Sequence, residues 1–451
     1  MTVSRRSLGA ALVLGVLGAV LASCGGGSSP PTGGRGQLSI SVVGNHFIDG
    51  GGRRVVLRGV NTEGTQYDCA QSGVRFTDDR TVSPGNYRTE IAALRAWGVN
   101  LVRVNLNEEC WLGINRVPSA TAKSGYPVPP GDRVDRSVDA YMHDVGTYVA
   151  ALHGAGIYVE LDLHLNAPGT ELITDAGINA QNPMPDTNSE LFWKSVAGYF
   201  HDDHAVLFGI FNEPFPPDAR TSGAAGGDWS CVIRGCTVPD YTSEAVSQYA
   251  KAVPSPRYQA VGMRRLISDI RAVNPSAPIV AGGPDFAGLL NAWTASYEPG
   301  GRSLDPAKKL VASVHVYYPS GATPCSNATT LAAACGGDLL SVAASVPVLV
   351  DEFGDYGCTS PSVFALLRSI DAADTSGTVD IGYAGWSWTT YSCDPNLIVD
   401  WTTGTPSVAG QGEYCELLDL GLAPVANRLF SPSSSCAGTP PDATPAGAAR
   451  R

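Results

Sequence analysis

Two glutamates stand where chemistry is easiest to read in this chain. The apolar run VLFGIF (206–211) leads into Asn212-Glu213-Pro214, and PVLV (347–350) leads into Asp351-Glu352-Phe353-Gly354. A carboxylate at the end of a buried strand is poorly solvated and costly to keep for packing alone. Taken singly, either glutamate reads equally well as an ion-pair partner or as a neighbour of a helix cap. Two of them at matched strand ends have a more specific use. One that holds its proton beside a leaving oxygen, and one ionised below a sugar ring, are what two-carboxylate glycoside hydrolysis needs.

Alternation along neighbouring runs brings more side chains to the same place, because successive residues of a strand point to opposite faces. In LVASVHVYY (310–318), Val311, Ser313, His315 and Tyr317 share one face, and Ala312, Val314 and Val316 share the other. The apolar set suits covering helices, so His315 and Tyr317 are expected to point at the glutamates. Tyr317 could donate a hydrogen bond to the ionised carboxylate; His315 could touch substrate or tune the protonated one. GIYVELDLH (156–164) repeats the pattern, with Val159, Leu161 and Leu163 outward and Glu160, Asp162 and His164 inward. A lone inward histidine is usually a satisfied core residue. Beside two carboxylates and a second histidine, His164 reads as functional. NLVRVNLN (100–107) carries Arg103 among apolar neighbours, and a buried guanidinium needs an anion, for which Glu352 is the natural candidate. GWSW (385–388) offers Trp386 and Trp388. Aromatic rings cover the flat C–H faces of sugars well, although either tryptophan could equally fill the core.

Periodicity outlines the framework that would carry these side chains. Strands are expected near 55–60, 99–105, 157–164, 206–212, 278–282, 310–317, 347–352 and 382–387, with helical patterns at 86–97, 134–153, 188–200, 258–273 and 361–373. Alternating strand and helix implies a parallel sheet, and eight units imply an α/β fold that closes on itself, a (β/α)8 TIM barrel. An open doubly wound sheet is the competing arrangement, but no G-x-G-x-x-G follows a strand. The long insertions, 107–133, 165–187, 214–257 and 318–346, all follow strands. They fall on the C-terminal face, where barrels of this kind carry their sites. Residues 38–49 are expected to form a hairpin capping the barrel base.

The 451 residues are 43% hydrophobic and 16% charged, ordinary for a globular protein with a sizeable core. A formal net charge of −12 argues against nucleic acid, which rewards clustered Lys and Arg. At the N-terminus, Arg5-Arg6 precede an apolar run, Leu8 to Leu21, too short for a comfortable membrane span. Residues 1–24 therefore read as a signal peptide. Its end, Leu21-Ala22-Ser23-Cys24, resembles a bacterial lipoprotein box in which Cys24 is lipidated; a plain secretory signal is the alternative. The expected organisation is 1–24 signal, 25–36 Gly/Ser/Pro tether, 37–436 catalytic domain and 437–451 disordered tail. Location is then exported and membrane-anchored, at the extracellular or periplasmic face, and a monomer is expected. Of 11 cysteines, 10 remain beside Cys24, an even number in an exported chain. Cys231 with Cys236 and Cys325 with Cys335 are loop neighbours; Cys69 with Cys110, Cys358 with Cys393 and Cys415 with Cys436 are further candidate bridges. Connectivity is left open. Zinc is disfavoured, since no C-x-x-C pair or His-rich partner occurs.

LRGVN (57–61), VNLVRVN (99–105), YVELDLH (158–164), FNEPF (211–215), HVYY (315–318), PVLVDEFG (347–354) and GWSW (385–388), in this order, resemble glycoside hydrolase family 5, the cellulase family. The resemblance implies a retaining (β/α)8 enzyme with Glu213 as acid/base and Glu352 as nucleophile. It also implies that Arg103, His164, Asn212, His315, Tyr317 and Trp386 surround the substrate, Asn212 bonding the sugar 2-hydroxyl. Trp386 is preferred to Trp388 because it takes the place of the first strand-8 tryptophan. The segments after Arg103 and His164 depart from the family pattern, which weakens any inference about which sugar is chosen. An endoglucanase-like hydrolase of a β-linked glucan is expected, with a β-mannanase or an exo-acting β-glycosidase as alternatives. No metal or organic cofactor is called for. Two other classes remain: a non-catalytic glycan-binding lipoprotein, which would need neither glutamate, and a metal-dependent barrel hydrolase, for which His164 and His315 could begin a ligand set that nothing completes.

Overall fold

The computed structural model describes residues 38–67, 88–114, 138–167, 181–216, 228–240, 257–318, 339–358, 361–390, 395–420 and 422. A hairpin comes first, β1 (Ile40–Val43) antiparallel to β2 (His46–Asp49). Eight parallel strands follow: β3 (Arg58–Thr62), β4 (Leu101–Asn107), β5 (Tyr158–Leu165), β6 (Val206–Gly209), β7 (Ile279–Ala281), β8 (Leu310–Tyr318), β9 (Val348–Asp355) and β10 (Ile381–Gly385). Each pairs with the next and β10 pairs back onto β3, so the sheet is a closed barrel in sequence order. The expected (β/α)8 architecture is what forms.

The main helices are α1 (Arg88–Trp97), α2 (Val138–Gly154), α3 (Thr187–Tyr199), α4 (Met263–Val273), α5 (Pro361–Asp374) and α6 (Gln411–Asp419). In α4 the buried Met263, Leu266, Ile267 and Ile270 fall at i, i+3, i+4 and i+7, one face of a helix turned to the sheet. α3 starts where Asp186 caps it, accepting from the Asn188 N–H while Ser189 Oγ accepts from the Asp186 N–H. Several boundaries differ from expectation: β3 starts at Arg58 rather than residue 55, and β9 runs to Asp355 rather than 352. β6 stops at Gly209 rather than residue 212, its last ladder partners being Asp162 on β5 and Val280 on β7. α4 starts at Met263 rather than 258, because Arg257–Gln259 is drawn into a ladder with Thr237–Pro239, beside the Cys231–Cys236 disulfide. Cys110, Cys358 and Cys415 are disulfide-bonded as well. The bridges read for Cys69, Cys325, Cys335, Cys393 and Cys436, the signal peptide with Cys24, the tether and the tail lie outside the described residues.

Strand alternation sorts the barrel into two apolar layers. Val102, Val104, Val159, Leu161, Leu163, Ala312, Val314 and Val316 face the helices. Leu57, Leu101, Tyr158, Leu207, Val280, Val311 and Leu349 fill the lower interior, where Ile40, Val42 and Phe47 of the hairpin pack against them. The hairpin is thus the barrel's floor. It is tied there by the Ile40 N–H on His204 O (2.8 Å) and the Phe47 N–H on Asp380 (2.7 Å). With the lower interior closed by hydrocarbon, the polar inward residues are left for the upper half.

Candidate active site

Above the apolar floor, inward positions become polar. Arg103 on β4 is 1% exposed and sits at the centre of this polar layer. Its Nη1 donates to Glu352 Oε1 (2.5 Å) and Asn61 Oδ1 (2.9 Å), and its Nη2 to Asn212 Oδ1 (2.8 Å). Asp162 lies 3.0 Å from the same guanidinium, Glu160 3.4 Å and Asp351 3.9 Å. Burial works against this charge, but Asp162, Glu352, Asp351 and Glu160 together hold Arg103 well above its ordinary pKa. One guanidinium therefore knits β3, β4, β5, the end of β6 and β9 together.

Glu352 is almost fully buried, with Arg103 on one oxygen and the Tyr317 hydroxyl donating to the other at 2.9 Å. Burial pushes its carboxyl up, but His315 and Arg103 outweigh that and hold it below the usual carboxylate value. Burial and the nearby carboxylates raise Tyr317 far above its ordinary value, so it stays a neutral donor. Glu213, less buried, receives Gln181 Nε2 on Oε2 (2.9 Å) and His315 Nδ1 on Oε1 (2.8 Å). His315 Nδ1 is also 3.4 Å from Glu352 Oε2, so this ring stands between the two glutamates. Burial alone would lower the His315 pKa; Glu352, the hydrogen bond to Glu213 and Asp351 lift it to about 9. The His315 N–H is fixed on Ala287 O (3.2 Å), within a turn where Asp285, Phe286 and Ala287 all have φ near +60° (59°, 57° and 57°). Three successive non-glycine residues in that region are costly, and such strain gathers at functional sites.

His164 and Trp386 form a second group at the mouth, their rings stacked at 5.4 Å and 9°. His164 Nδ1 is 2.9 Å from Asp162 Oδ2 and 2.6 Å from Asn105 Nδ2. Trp386 is partly exposed and joined to Ser387 by a cis peptide bond. Trp388 is fully buried against Trp97, 5.0 Å away edge-on. The structure thus brings Arg103, Asn212, Glu213, His315, Tyr317 and Glu352 into one cluster, with His164 and Trp386 beside it. Cys24 lies outside the described residues.

Four further members carry no part that the sequence alone assigns. Asn61 closes β3 and donates to Asp351 O (2.8 Å) and Ala384 O (3.0 Å) while accepting from Arg103. Gln181 comes from an irregular segment that carries no periodic signal. Glu160 points inward as its parity predicts, but its carboxyl has no hydrogen-bond partner among the described residues; burial and then the charge of Asp351 push it well above the usual carboxylate range. Asp351 keeps the inward parity of Leu349, and Glu352 is turned inward beside it because β9 is bulged: Ser313 to His315 advances two residues on β8 while their partners Leu349 to Glu352 advance three. A bulge puts adjacent side chains on one face.

Donor atoms of Glu213, His315 and Glu352 all lie within 4.8 Å of one another. That is also a metal-like triangle, but a cation there would face the Arg103 guanidinium on Glu352 and displace the proton His315 shares with Glu213. The set suits carboxylate chemistry better.

A closed parallel barrel with two facing carboxylates at its C-terminal mouth defines a class, the (β/α)8 glycoside hydrolases. The model of the Cellulase family, described as cellulase (glycosyl hydrolase family 5), matches residues 49–392, and the chain belongs to that family. Among solved structures it resembles a β-glucanase from Saccharophagus degradans, at 20% identity and TM-score 0.54, covering 85% of this chain and 94% of that one. The same figures hold for that β-glucanase in complex with cellotetraose. The catalytic domain of an endoglucanase from Thermobifida fusca is 18% identical over 84% of this chain and 97% of that one, with TM-score 0.48. No curated protein matches the chain.

Proposed function

We propose that this glycoside hydrolase is a retaining enzyme that cleaves a β-linked glucan by double displacement, with Glu352 as nucleophile and Glu213 as acid/base. The observation that carries the reading is the approach of the two carboxyl groups, with donor oxygens within 4.8 Å. Retaining enzymes place the pair about 5–5.5 Å apart, whereas inversion needs roughly 6.5–9.5 Å to admit a water. Glu352, ionised and held by Arg103 and Tyr317, attacks the anomeric carbon while Glu213 gives its proton to the departing oxygen. The negative charge then passes from Glu352, now an ester, to Glu213, and the His315 ring touches both (3.4 and 2.8 Å). One cation serves both halves of the reaction without moving. Water enters on the anomeric carbon, Glu213 takes its proton, and Glu352 leaves as a carboxylate. Asn212, its oxygen held by Arg103, offers its amide to the sugar 2-hydroxyl, and Trp386 backs the ring.

The substrate class leans on the cellotetraose-bound β-glucanase of the same fold; β-mannan and exo-acting cleavage are the alternatives. Purified protein is expected to hydrolyse a soluble β-glucan with retained anomeric configuration, read by proton NMR, and Glu352→Ala to lose at least about 10³-fold in kcat. An inverted first product, or a Glu352→Ala variant as active as the parent, would overturn the assignment. We also propose that residues 1–24 direct export, that Cys24 is lipidated and that residues 25–36 tether a monomeric enzyme to the membrane. Cys24→Ser should move the protein from the membrane to the soluble fraction; unchanged membrane association would refute the anchor.

A further inference from the structure

We propose that Asp351 is a positioning residue for this site, the permanent counterion of His315 that keeps its Nδ1–H on Glu213 through both halves of the reaction. The inference rests on Glu213 and Glu352 being the catalytic pair. Ser313 Oγ donates to Asp351 Oδ1 at 2.6 Å, and the backbone of Asp351 is held by Asn61. That same Oδ1 faces His315 Nε2 at 3.6 Å, an ion-pair rather than a hydrogen-bond distance. Nε2 has no hydrogen-bond partner among the described residues, so Asp351 is the anion on the far side of the ring from the glutamates. Ser313, His315 and Asp351 are all buried.

The need for such a counterion follows from the chemistry. In the free enzyme His315 is balanced by Glu352. As Glu352 becomes an ester its negative charge passes to Glu213, so the anion that faces Nδ1 changes within the step. A carboxylate that takes no part in bond making keeps the imidazolium charged across this interval. The charged or titratable groups around the ring are Glu213 beyond β6, Asp351 and Glu352 on β9, Arg103 on β4, Glu160 on β5 and Tyr317 on β8 itself. Of the acids, Glu213 and Glu352 change state in the cycle, whereas Asp351 takes no part in bond making and places its Oδ1 3.6 Å from Nε2, which makes it the fixed anion on that side. The lift of His315 to about 9 includes a contribution from Asp351. Burial holds Asp351 above the usual carboxylate value, and His315, Arg103 and the Ser313 hydroxyl offset part of that rise.

The test is Asp351→Asn in the full-length enzyme, with pH profiles of kcat and kcat/KM on an aryl β-glucoside and 15N NMR titration of the His315 ring, assigned by His315→Gln. The alkaline limb and the His315 titration should both move down by about one pH unit or more, while the acid limb and KM hold. Ser313→Ala should move both the same way by less, and it carries the test if Asp351→Asn does not fold. A uniform loss of kcat with an unmoved limb and an unmoved His315 titration would reduce Asp351 to a packing residue and overturn the inference. If no glycoside is hydrolysed at all, the hydrolase reading fails instead, and the NMR titration still decides whether Asp351 governs His315.

Discussion

The two oxygens of Glu352 are held by different residues: Arg103 takes Oε1 and Tyr317 takes Oε2. A hydrogen bond to a charged group is worth about 1.5–3 kcal/mol, so Tyr317→Phe should lower kcat by roughly 10–100-fold. KM and the thermal midpoint should change little, since the ring remains. Steady-state kinetics beside a melting curve will show this, and an unchanged kcat would mean that Arg103 alone sustains the Glu352 carboxylate. Among single residues most of the cluster was legible, because residue type and parity are enough to read Arg103, His315 and Tyr317, and a place just after an apolar run to read the two glutamates. Alternation from Leu349 turns Asp351 inward and would turn Glu352 outward; the bulge that brings both to one face carries no local signal. Gln181 carries no local signal, and only the fold brings it 2.9 Å from Glu213.

Strands and helices hold these side chains by close approach of backbones. A Cβ added to Gly59 on β3 would lie 2.3 Å from Leu101 O on β4, below any tolerated contact. The neighbour is backbone, so Gly59→Ala must spread the β3–β4 ladder, beside which Asn61 and Arg103 meet. We expect a loss of about 2 kcal/mol or more in unfolding free energy, measured by urea denaturation, together with reduced kcat. Stability equal to the parent would show that the ladder yields without cost. The order and approximate bounds of all eight strands were readable from runs of apolar residues. Their ends were less so: β6 leaves the ladder at Gly209 although the apolar run continues to Phe211, and its pairing partners on β5 and β7 belong to distant parts of the sequence.

For the molecule as a whole, buried ionisable groups set how stability follows pH. His315, lifted from 6.5 to about 9, binds its proton more tightly folded than unfolded. Its contribution is complete below pH 6.5 and lost as pH rises through 9. Glu90, raised from 4.5 to about 8 by burial, acts in the same direction. Between those values the unfolded chain has released this proton and the folded chain has not, so stability falls as pH climbs. Glu352 and Asp305 are depressed, the latter because Arg271 outweighs burial, and their contributions disappear as pH falls through the acid range. The thermal midpoint should therefore peak near pH 4.5 and decline from there toward 9. His315→Gln should flatten the part above 6.5; calorimetry showing a maximum near pH 9 would contradict this.

Short stretches of chain were enough to specify the eightfold alternation, the apolar faces and the two glutamates at matched strand ends, because each is a property of a few consecutive residues. Three features came only from the folded barrel: Glu213 and Glu352 approach within 4.8 Å, one guanidinium serves five chain segments, and Asp351 stands behind His315. They depend on how the ring of strands closes and where one extra residue is absorbed, and both are settled by the register between segments far apart in the chain.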